Sequence, residues 1–178
     1  PMIPGCDFCG VVDQVGAGVK GVAVGDKVLV APGFSCGRCE ACLSGQDQLC
    51  KDFGIFGETT NGGCAEFAVV PAVNVIALPA KLEFTAAAAF PLTFLTAWHM
   101  LVARCGIRPG DDVLVHAAGS GVGSAAVQIA KLFRARVLAT AGSDRKLEQA
   151  RALGAGHAIN YETRDWVAEV ANLAGQHG

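Results

Sequence analysis

The sequence predicts a mixed α/β fold, in which a small, mostly antiparallel β domain precedes the first half of a doubly wound parallel sheet. Thirteen of the 23 glycines lie before Leu78 and separate short β-branched runs, a pattern typical of a strongly turned β domain. Alanine and helical spacing dominate from Ala86 onward. There, short apolar runs alternate with helical segments, as they do when helices connect parallel strands.

Composition excludes several classes of protein. The chain has 178 residues, of which 52% are apolar and 17% charged, so it is not intrinsically disordered. Fourteen basic and sixteen acidic residues give a net charge of −2, which does not favour binding to a nucleic-acid backbone. Residues 84–103 carry no formal charge and reach membrane-spanning length, but they include Pro91 and several polar side chains, so we expect a buried helix. We expect a cytoplasmic protein.

The first part, residues 1–92, is predicted to form the β domain. Strands are expected where β-branched runs are bounded by glycine or proline, at residues 11–12, 28–30, 67–70 and 73–76. Residues 33–52 interrupt this pattern with a loop-like stretch that is rich in glycine and cysteine. We expect that stretch to form a separate lobe.

The second part, residues 93–178, is predicted to form a nucleotide-binding domain. A helix is expected at 93–104, followed by strands at 112–116, 136–140 and 157–160, with helices near 125–132 and at 145–153. Strand–helix–strand–helix–strand is one mononucleotide-binding half of a doubly wound sheet. We therefore expect the other half of this domain to lie outside this chain.

Four of the eight cysteines form a cluster with C-x2-C-x2-C-x7-C spacing: Cys36, Cys39, Cys42 and Cys50. Four thiolates that leave no coordination position open are typical of one structural Zn²⁺. An iron–sulfur cluster remains an alternative, although the C-x3-C-P continuation of the bacterial ferredoxin motif is missing. Disulfides are disfavoured, because cysteines this close in sequence could not all pair without strain.

The stretch from Gly33 to Gly37 matches G-x-S-x-G, the nucleophile motif of α/β hydrolases. That motif requires a strand before it and a helix after it. Here it leads directly into the cysteine cluster, so the hydrolase interpretation is rejected. We interpret Ser35 as a turn residue.

A glycine-rich turn follows the strand that is predicted to end at His116. Read from Gly119, it is G-x-G-x-x-S, an imperfect dinucleotide-binding fingerprint in the expected strand–turn–helix context. Glycines let the backbone approach a pyrophosphate, whose charge then lies at the helix N-terminus. A merely tight turn is the alternative interpretation.

The end of the next strand bears on the choice of nicotinamide cofactor. NAD-binding domains place a carboxylate there to bind the ribose 2′-hydroxyl. The tip of this strand instead carries Ser143, with Arg145 and Lys146 close behind, which favours the 2′-phosphate of NADP(H) over NAD(H). Asp144, however, is close enough to repel a 2′-phosphate. The alternative interpretation of Lys146 is an ordinary solvated helix residue.

These motifs together resemble the medium-chain dehydrogenase/reductase superfamily, which includes zinc-type alcohol dehydrogenases and NADPH:quinone oxidoreductases. The four cysteines stand at the family's structural-zinc positions. Four further segments match in order: IPGCDFCGVV (residues 3–12), VGDKV (24–28), GGCAEF (62–67) and LTAW (95–98). The resemblance implies a GroES-like β domain followed by a Rossmann domain, with the active site between them. It also implies that the first strands of the β domain lie outside this chain.

The resemblance also implies roles for individual residues. It places Thr96 near the nicotinamide. It places Ser143, Lys146 and Tyr161 at the 2′-phosphate, although Tyr161 could equally cap the third strand. The phosphate-binding turn comprises Gly119, Ser120, Gly121, Val122 and Gly123. A homo-oligomer is expected for the full-length protein.

The chain departs from the zinc-catalytic members at two positions. Where those members carry His-Glu after the opening glycine, this sequence has Cys6 and Asp7, and their later cysteine ligand corresponds to Leu92. Cysteine can bind zinc but leucine cannot. We therefore expect an NADPH-dependent reductase of quinones or conjugated carbonyls with one structural zinc. A zinc-dependent alcohol dehydrogenase and a non-enzymatic NADPH-binding redox sensor are the alternatives, and we assign no catalytic residue.

Overall fold

The computed structural model describes residues 1–174 and divides the chain into two compact units, Pro1–Leu92 and Thr93–Gly178. The first unit holds short antiparallel strands and the second a parallel sheet flanked by helices. The mixed α/β prediction is therefore confirmed.

The first unit is built on two small antiparallel sheets. The larger one has the order β1-β2-β5, so β2 pairs on both sides, with Gly10 opposite Val28 and Leu29 opposite Ile76. The smaller one pairs β3 with β4 and flanks the loop that carries the cysteine cluster. The strands are β1 (Cys9–Val11), β2 (Lys27–Val30), β3 (Gly33–Phe34), β4 (Gly54–Ile55) and β5 (Val75–Ala77).

Short helical segments complete the first unit. Two of them lie in the cysteine loop: helix α1 (Glu40–Leu43) and a 3₁₀ turn at Asp47–Leu49. A second 3₁₀ turn, Ala72–Asn74, leads into β5, and helix α2 (Phe84–Ala88) follows the strands.

Two predicted strands of the first unit differ from the structure. Residues 67–70 form no strand, and Phe67 and Val69 are 74% and 97% exposed. No strand among residues 1–174 pairs with this segment, and a strand needs a partner to satisfy its backbone hydrogen bonds. The strand predicted at 73–76 starts only at Val75. The preceding residues form the 3₁₀ turn, and the Asn74 side chain donates a hydrogen bond to the Ala31 carbonyl.

Three glycine backbones cross at close range beside the N-terminal segment. A Cβ atom at Gly62 would lie 2.2 Å from the Gly5 carbonyl oxygen and 2.6 Å from the Gly57 Cα. A Cβ at Gly57 would lie 2.6 Å from the Gly5 backbone, and Gly5 itself has a left-handed φ of +104°. Only glycine fits such a crossing, because the obstructing atoms are backbone atoms that cannot rotate away.

The second unit contains one parallel sheet of order β6-β7-β8. Val113 pairs with Val137, and Ala139 with Ala158. Its strands are β6 (Asp112–Val115), β7 (Arg136–Ala141) and β8 (His157–Asn160). Its helices are α3 (Pro91–Trp98, whose first two residues belong to the first unit), α4 (Gly121–Leu132), α5 (Asp144–Leu153) and α6 (Trp166–Ala174).

Small side chains build the core of the second unit. Ala125, Val127 and Ala130 on α4 are fully buried, as is Ala139 on β7. Alanines at the contact let a helix lie close to the sheet without voids. This close packing fixes the start of α4 relative to the ends of β6 and β7.

The helix predicted at 93–104 begins at Pro91, two residues early, and becomes a π-helix over His99–Arg104. Proline is favoured in the first turn of a helix because it lacks the amide that would remain unbonded there. Helix α6 was not predicted. Within residues 1–174, no helix is both long and apolar enough to cross a membrane.

Candidate functional site

The four clustered cysteines converge on one point in the first unit. Their sulfur atoms all lie within 4.8 Å of one another, with Cys36–Cys42 at 3.9 Å and Cys39–Cys42 at 3.5 Å. The cysteine loop leaves β3, turns through α1 and the 3₁₀ turn at Asp47–Leu49, and returns toward β4. Local folding thus brings Cys50 back to the three earlier cysteines.

The sulfur geometry fits a single tetrahedral ion. Zinc–sulfur bonds of about 2.3 Å imply sulfur–sulfur separations of about 3.8 Å at the edges of a tetrahedron. Two of the six separations, 3.5 and 3.9 Å, lie near that value, and all six lie within 4.8 Å. A disulfide would instead bring two sulfurs to about 2.05 Å, and all four cysteines are free.

Hydrogen bonds around the sulfurs prepare some of them to be thiolates. Backbone amides of Arg38 and Cys39 lower the pKa of Cys36 to about 6. A hydrogen bond with the Ser35 hydroxyl lowers the pKa of Cys42, and the two atoms lie 3.4 Å apart. Ser35 is therefore more than a turn residue, a role that the sequence pattern did not indicate.

Cys39 behaves differently from its neighbours. The Cys42 amide lowers its pKa, but sulfur contacts with Cys42 and burial outweigh that effect and raise the pKa to about 11. Four thiolates this close would repel one another, so one sulfur keeps its proton until a cation replaces it. The four sulfurs therefore form a site that favours binding of a cation.

Asn74 anchors the start of the cysteine loop and was missed by sequence reasoning. It is only 4% exposed, and its side-chain amide donates to the carbonyls of Ala31 (2.8 Å) and Gly33 (2.6 Å). An asparagine between valines carries no sequence signal for such a role. It holds the loop where β2 ends and β3 begins.

In the second unit, the glycine-rich turn joins β6 to α4. The Ser120 hydroxyl accepts a hydrogen bond from the Gly123 amide (3.0 Å) and caps the helix, and Ala117 has a left-handed φ of 51°. A Cβ atom at Gly123 would lie 2.4 Å from the Ala117 carbonyl oxygen. Because the first turn of a helix has amides without intrahelical partners, this geometry suits an anionic pyrophosphate.

All three residues predicted at the 2′-phosphate lie around the end of β7. Ser143 is the N-cap residue of α5, and the Tyr161 hydroxyl lies 2.8 Å from the place of a Cβ atom at Gly142. The aliphatic stem of Lys146 covers Gly119, with its Cγ 2.7 Å from the corresponding Cβ position. The structure thus brings both ends of the predicted cofactor site together within the second unit.

Asp144, the carboxylate next to the predicted 2′-phosphate site, forms a hydrogen bond with a residue of β8. Its carboxylate accepts a hydrogen bond from the buried Asn160 amide at 2.9 Å. This bond ties Asp144 to the end of β8. The hydrogen bond fixes the position of the carboxylate without changing its charge.

Thr96, predicted to lie near the nicotinamide, is half-buried on α3. A second threonine of the same helix, Thr93, lies beside the glycine-rich turn, where its Cγ2 would be 2.9 Å from a Cβ atom at Gly121. His116 lies just after β6 instead of within it, and its Nδ1 contacts the buried Thr140 hydroxyl at 3.0 Å. Neither Thr93 nor Thr140 had a sequence signal.

The positions that match the zinc-catalytic ligands lie in the first unit. The Asp7 carboxylate accepts a hydrogen bond from the Leu92 amide at 2.7 Å, and burial raises the pKa of Asp7. Burial is also the main cause of the raised pKa of Cys6, followed by the negative charges of Asp7 and Glu58. Among residues 1–174, only the four clustered cysteines form a group of three or more metal donors.

Comparisons with known proteins match both units. Residues 1–80 match the family model described as alcohol dehydrogenase GroES-like domain, and residues 121–178 match zinc-binding dehydrogenase. The chain is 38% identical over 173 residues to an alcohol dehydrogenase of Geobacillus stearothermophilus, covering 95% of this chain and 51% of that protein. It is 29% identical over 178 residues to a quinone oxidoreductase of Pongo abelii, covering 100% and 46%.

A solved structure described as an NAD-dependent alcohol dehydrogenase superimposes with a TM-score of 0.95. It is 58% identical in sequence, and the match covers 98% of this chain and 51% of that chain. The chain spans about half the length of the curated relatives that it matches.

Proposed function

The chain belongs to the medium-chain dehydrogenase/reductase superfamily, and on that premise we propose that the full-length protein transfers a hydride from NADP(H) to a quinone or a conjugated carbonyl acceptor. Cys36, Cys39, Cys42 and Cys50 would hold one structural zinc. Thr96 remains part of the proposed nicotinamide site, with Thr93 added. A cytoplasmic homo-oligomer is part of the same proposal.

The proposed role of the metal rests on the sulfur cluster. Four thiolates fill the coordination shell of Zn²⁺ and leave no position for a substrate, so the ion would stabilise the cysteine loop without entering the chemistry. The exposed, glycine-containing loop supports this role, because α1 and the turn at Asp47–Leu49 bury none of their own side chains. A loop with so little core needs another source of stability.

The choice of acceptor rests on the contact between Asp7 and Leu92. Leu92, which the family resemblance aligns with a ligand of the zinc-catalytic members, has no donor atom in its side chain. The Asp7 carboxylate next to Cys6 accepts the Leu92 backbone amide. Without a Lewis acid to stabilise an alkoxide, alcohol oxidation loses its main electrostatic support. Reduction of an activated acceptor such as a quinone does not need a Lewis acid. The bound nicotinamide would supply the hydride, and the protein would supply orientation and exclusion of water.

An activity comparison tests this proposal. We expect purified full-length protein to oxidise NADPH with quinones or enones, and this activity to survive replacement of Cys6 by alanine. Alcohol oxidation that needs Cys6 and added zinc would favour a zinc-dependent alcohol dehydrogenase, the function that the names of the 38% and 58% identical proteins support. Cofactor binding without turnover on any substrate would favour a redox sensor.

The proposed preference for NADP(H) predicts a specific effect of Lys146. We expect Lys146→Ala to weaken NADPH binding about tenfold and to leave NADH binding nearly unchanged, because a charge-assisted hydrogen bond to phosphate contributes roughly 1.5–3 kcal/mol. Fluorescence titration of both cofactors measures this. Arg151→Ala is the matched control, since Arg151 lies at the far end of α5 and bonds the Ala158 carbonyl.

Asp144 would cause the opposite cofactor preference if its carboxylate repels the 2′-phosphate. Equal affinity of the unmodified protein for NADPH and NADH, or tighter binding of NADH, would mean that this carboxylate governs the pocket. Asp144→Asn should then increase NADPH binding more than any change at Lys146. That result would align the chain with the protein described as NAD-dependent.

A further inference from the structure

Cys64, a cysteine outside the metal cluster, lies against Gly5 at the glycine crossing, one residue before Cys6 in the chain. The segment from Ile3 to Gly5 accepts three consecutive backbone hydrogen bonds: Gly62 donates to Ile3 at 2.8 Å, Gly63 to Gly5 at 2.8 Å and Cys64 to Pro4 at 3.0 Å. This ladder lays Cys64 directly against the residue that precedes Cys6.

Both the sulfur and the backbone nitrogen of Cys64 lie next to Gly5. A Cβ atom at Gly5 would lie 2.8 Å from the Cys64 sulfur and 2.9 Å from the Cys64 nitrogen. The missing side chain of Gly5 thus leaves room for the Cys64 sulfur beside Gly5, and the charge of Cys64 contributes to the raised pKa of Cys6. The Cys64 side chain is exposed, and that of Cys6 is half-buried.

The two thiols differ in reactivity. Burial and the charges of Asp7, Glu58 and Cys64 raise the pKa of Cys6, which therefore stays protonated at neutral pH. An exposed thiol meets an oxidant in solution more readily than a half-buried one, and a thiol that stays protonated reacts more slowly still. Both remaining cysteines outside the cluster lack this pairing: Cys9 donates to the Phe84 carbonyl at 3.0 Å, and Cys105 lies in the second unit.

We infer that Cys6 and Cys64 form a reversible thiol–disulfide pair, with Cys64 as the attacking thiol and Cys6 as the resolving thiol. The oxidant is a low-molecular-weight disulfide. The Cys64 thiolate attacks one sulfur of the oxidant, forms a mixed disulfide and releases one thiolate. Cys6 then loses its proton to solvent and attacks the Cys64 sulfur, which forms the internal disulfide and releases the second thiolate. The protein loses two electrons and two protons, and the oxidant becomes two thiols.

The test is oxidation of the full-length protein with glutathione disulfide, followed by alkylation and peptide mapping by mass spectrometry. We expect one cystine that links Cys6 to Cys64 and disappears with dithiothreitol. Mapping identifies each partner, so oxidation within the metal cluster is scored separately. A cystine that joins Cys64 to any other cysteine, or Cys64 and Cys6 both left as free thiols, would overturn the inference without any variant being needed.

Variants then test the order of attack. In Cys6→Ser, glutathione should remain bound to Cys64 and accumulate roughly tenfold above the unmodified protein, because the resolving thiol is gone. In Cys64→Ser, Cys6 should stay unmodified. Cys105→Ser is the matched control and should still form the Cys6–Cys64 cystine. Glutathione attached to Cys6 in the Cys64→Ser variant would refute the assigned roles.

Discussion

Replacing Cys39 by serine is expected to release the metal and to lower the free energy of unfolding by about 4 kcal/mol, because loss of a structural metal is among the largest effects of a single substitution. The sulfur of Cys39 lies 3.5 Å from that of Cys42 and completes the tetrahedron. In a chain of this length such a loss lowers the melting temperature by roughly 8–16 °C.

Thermal unfolding and metal analysis of the same samples check this prediction. Cys105→Ser is the control, because that cysteine is exposed and lies outside the cluster. We expect hydride transfer at low temperature to survive in Cys39→Ser, since four thiolate ligands would leave the proposed metal no open position for a substrate. A variant that keeps a full equivalent of metal and its melting temperature would contradict the account of the cluster.

Replacing Gly62 by alanine should be the most damaging of the small substitutions in the first unit. The added methyl would lie 2.2 Å from the Gly5 carbonyl oxygen and 2.6 Å from the Gly57 Cα, so two backbone segments must move apart. Overpacking of this kind costs about 1–3 kcal/mol, and we expect the upper end because no side chain can rotate to relieve it.

Gly10→Ala is the matched control for this substitution. Gly10 lies on β1 in the same unit, and no heavy atom lies within 4 Å of its Cβ position. We expect Gly10→Ala to be neutral or slightly stabilising, since glycine weakens a strand. Urea denaturation of both variants provides the comparison. Equal midpoints would show that the crossing can open without cost.

The sequence predicted best those features that depend on local spacing. The cysteine spacing predicted the convergence of four sulfurs, and the apolar runs predicted all three parallel strands to within one residue at each end. Local periodicity suffices there because buried parallel strands and short metal loops are specified by neighbouring residues.

Features that depend on distant partners were not predicted. Residues 67–70 have the composition of a strand but form none. Composition alone cannot predict whether another strand lies beside a segment to pair with it. Asn74 bonds to residues more than forty positions away. The placement of Thr93 against Gly121 likewise follows from tertiary packing, which leaves no trace in the local pattern.

Metal content of the full-length protein tests the central claim most directly, namely that the single zinc of this chain is structural. Mass spectrometry of the intact protein should find one zinc per chain, absent from Cys39→Ser and retained in Cys6→Ala. Two zinc ions per chain in the unmodified protein, with one lost in Cys6→Ala, would contradict the claim and identify a zinc-dependent alcohol dehydrogenase.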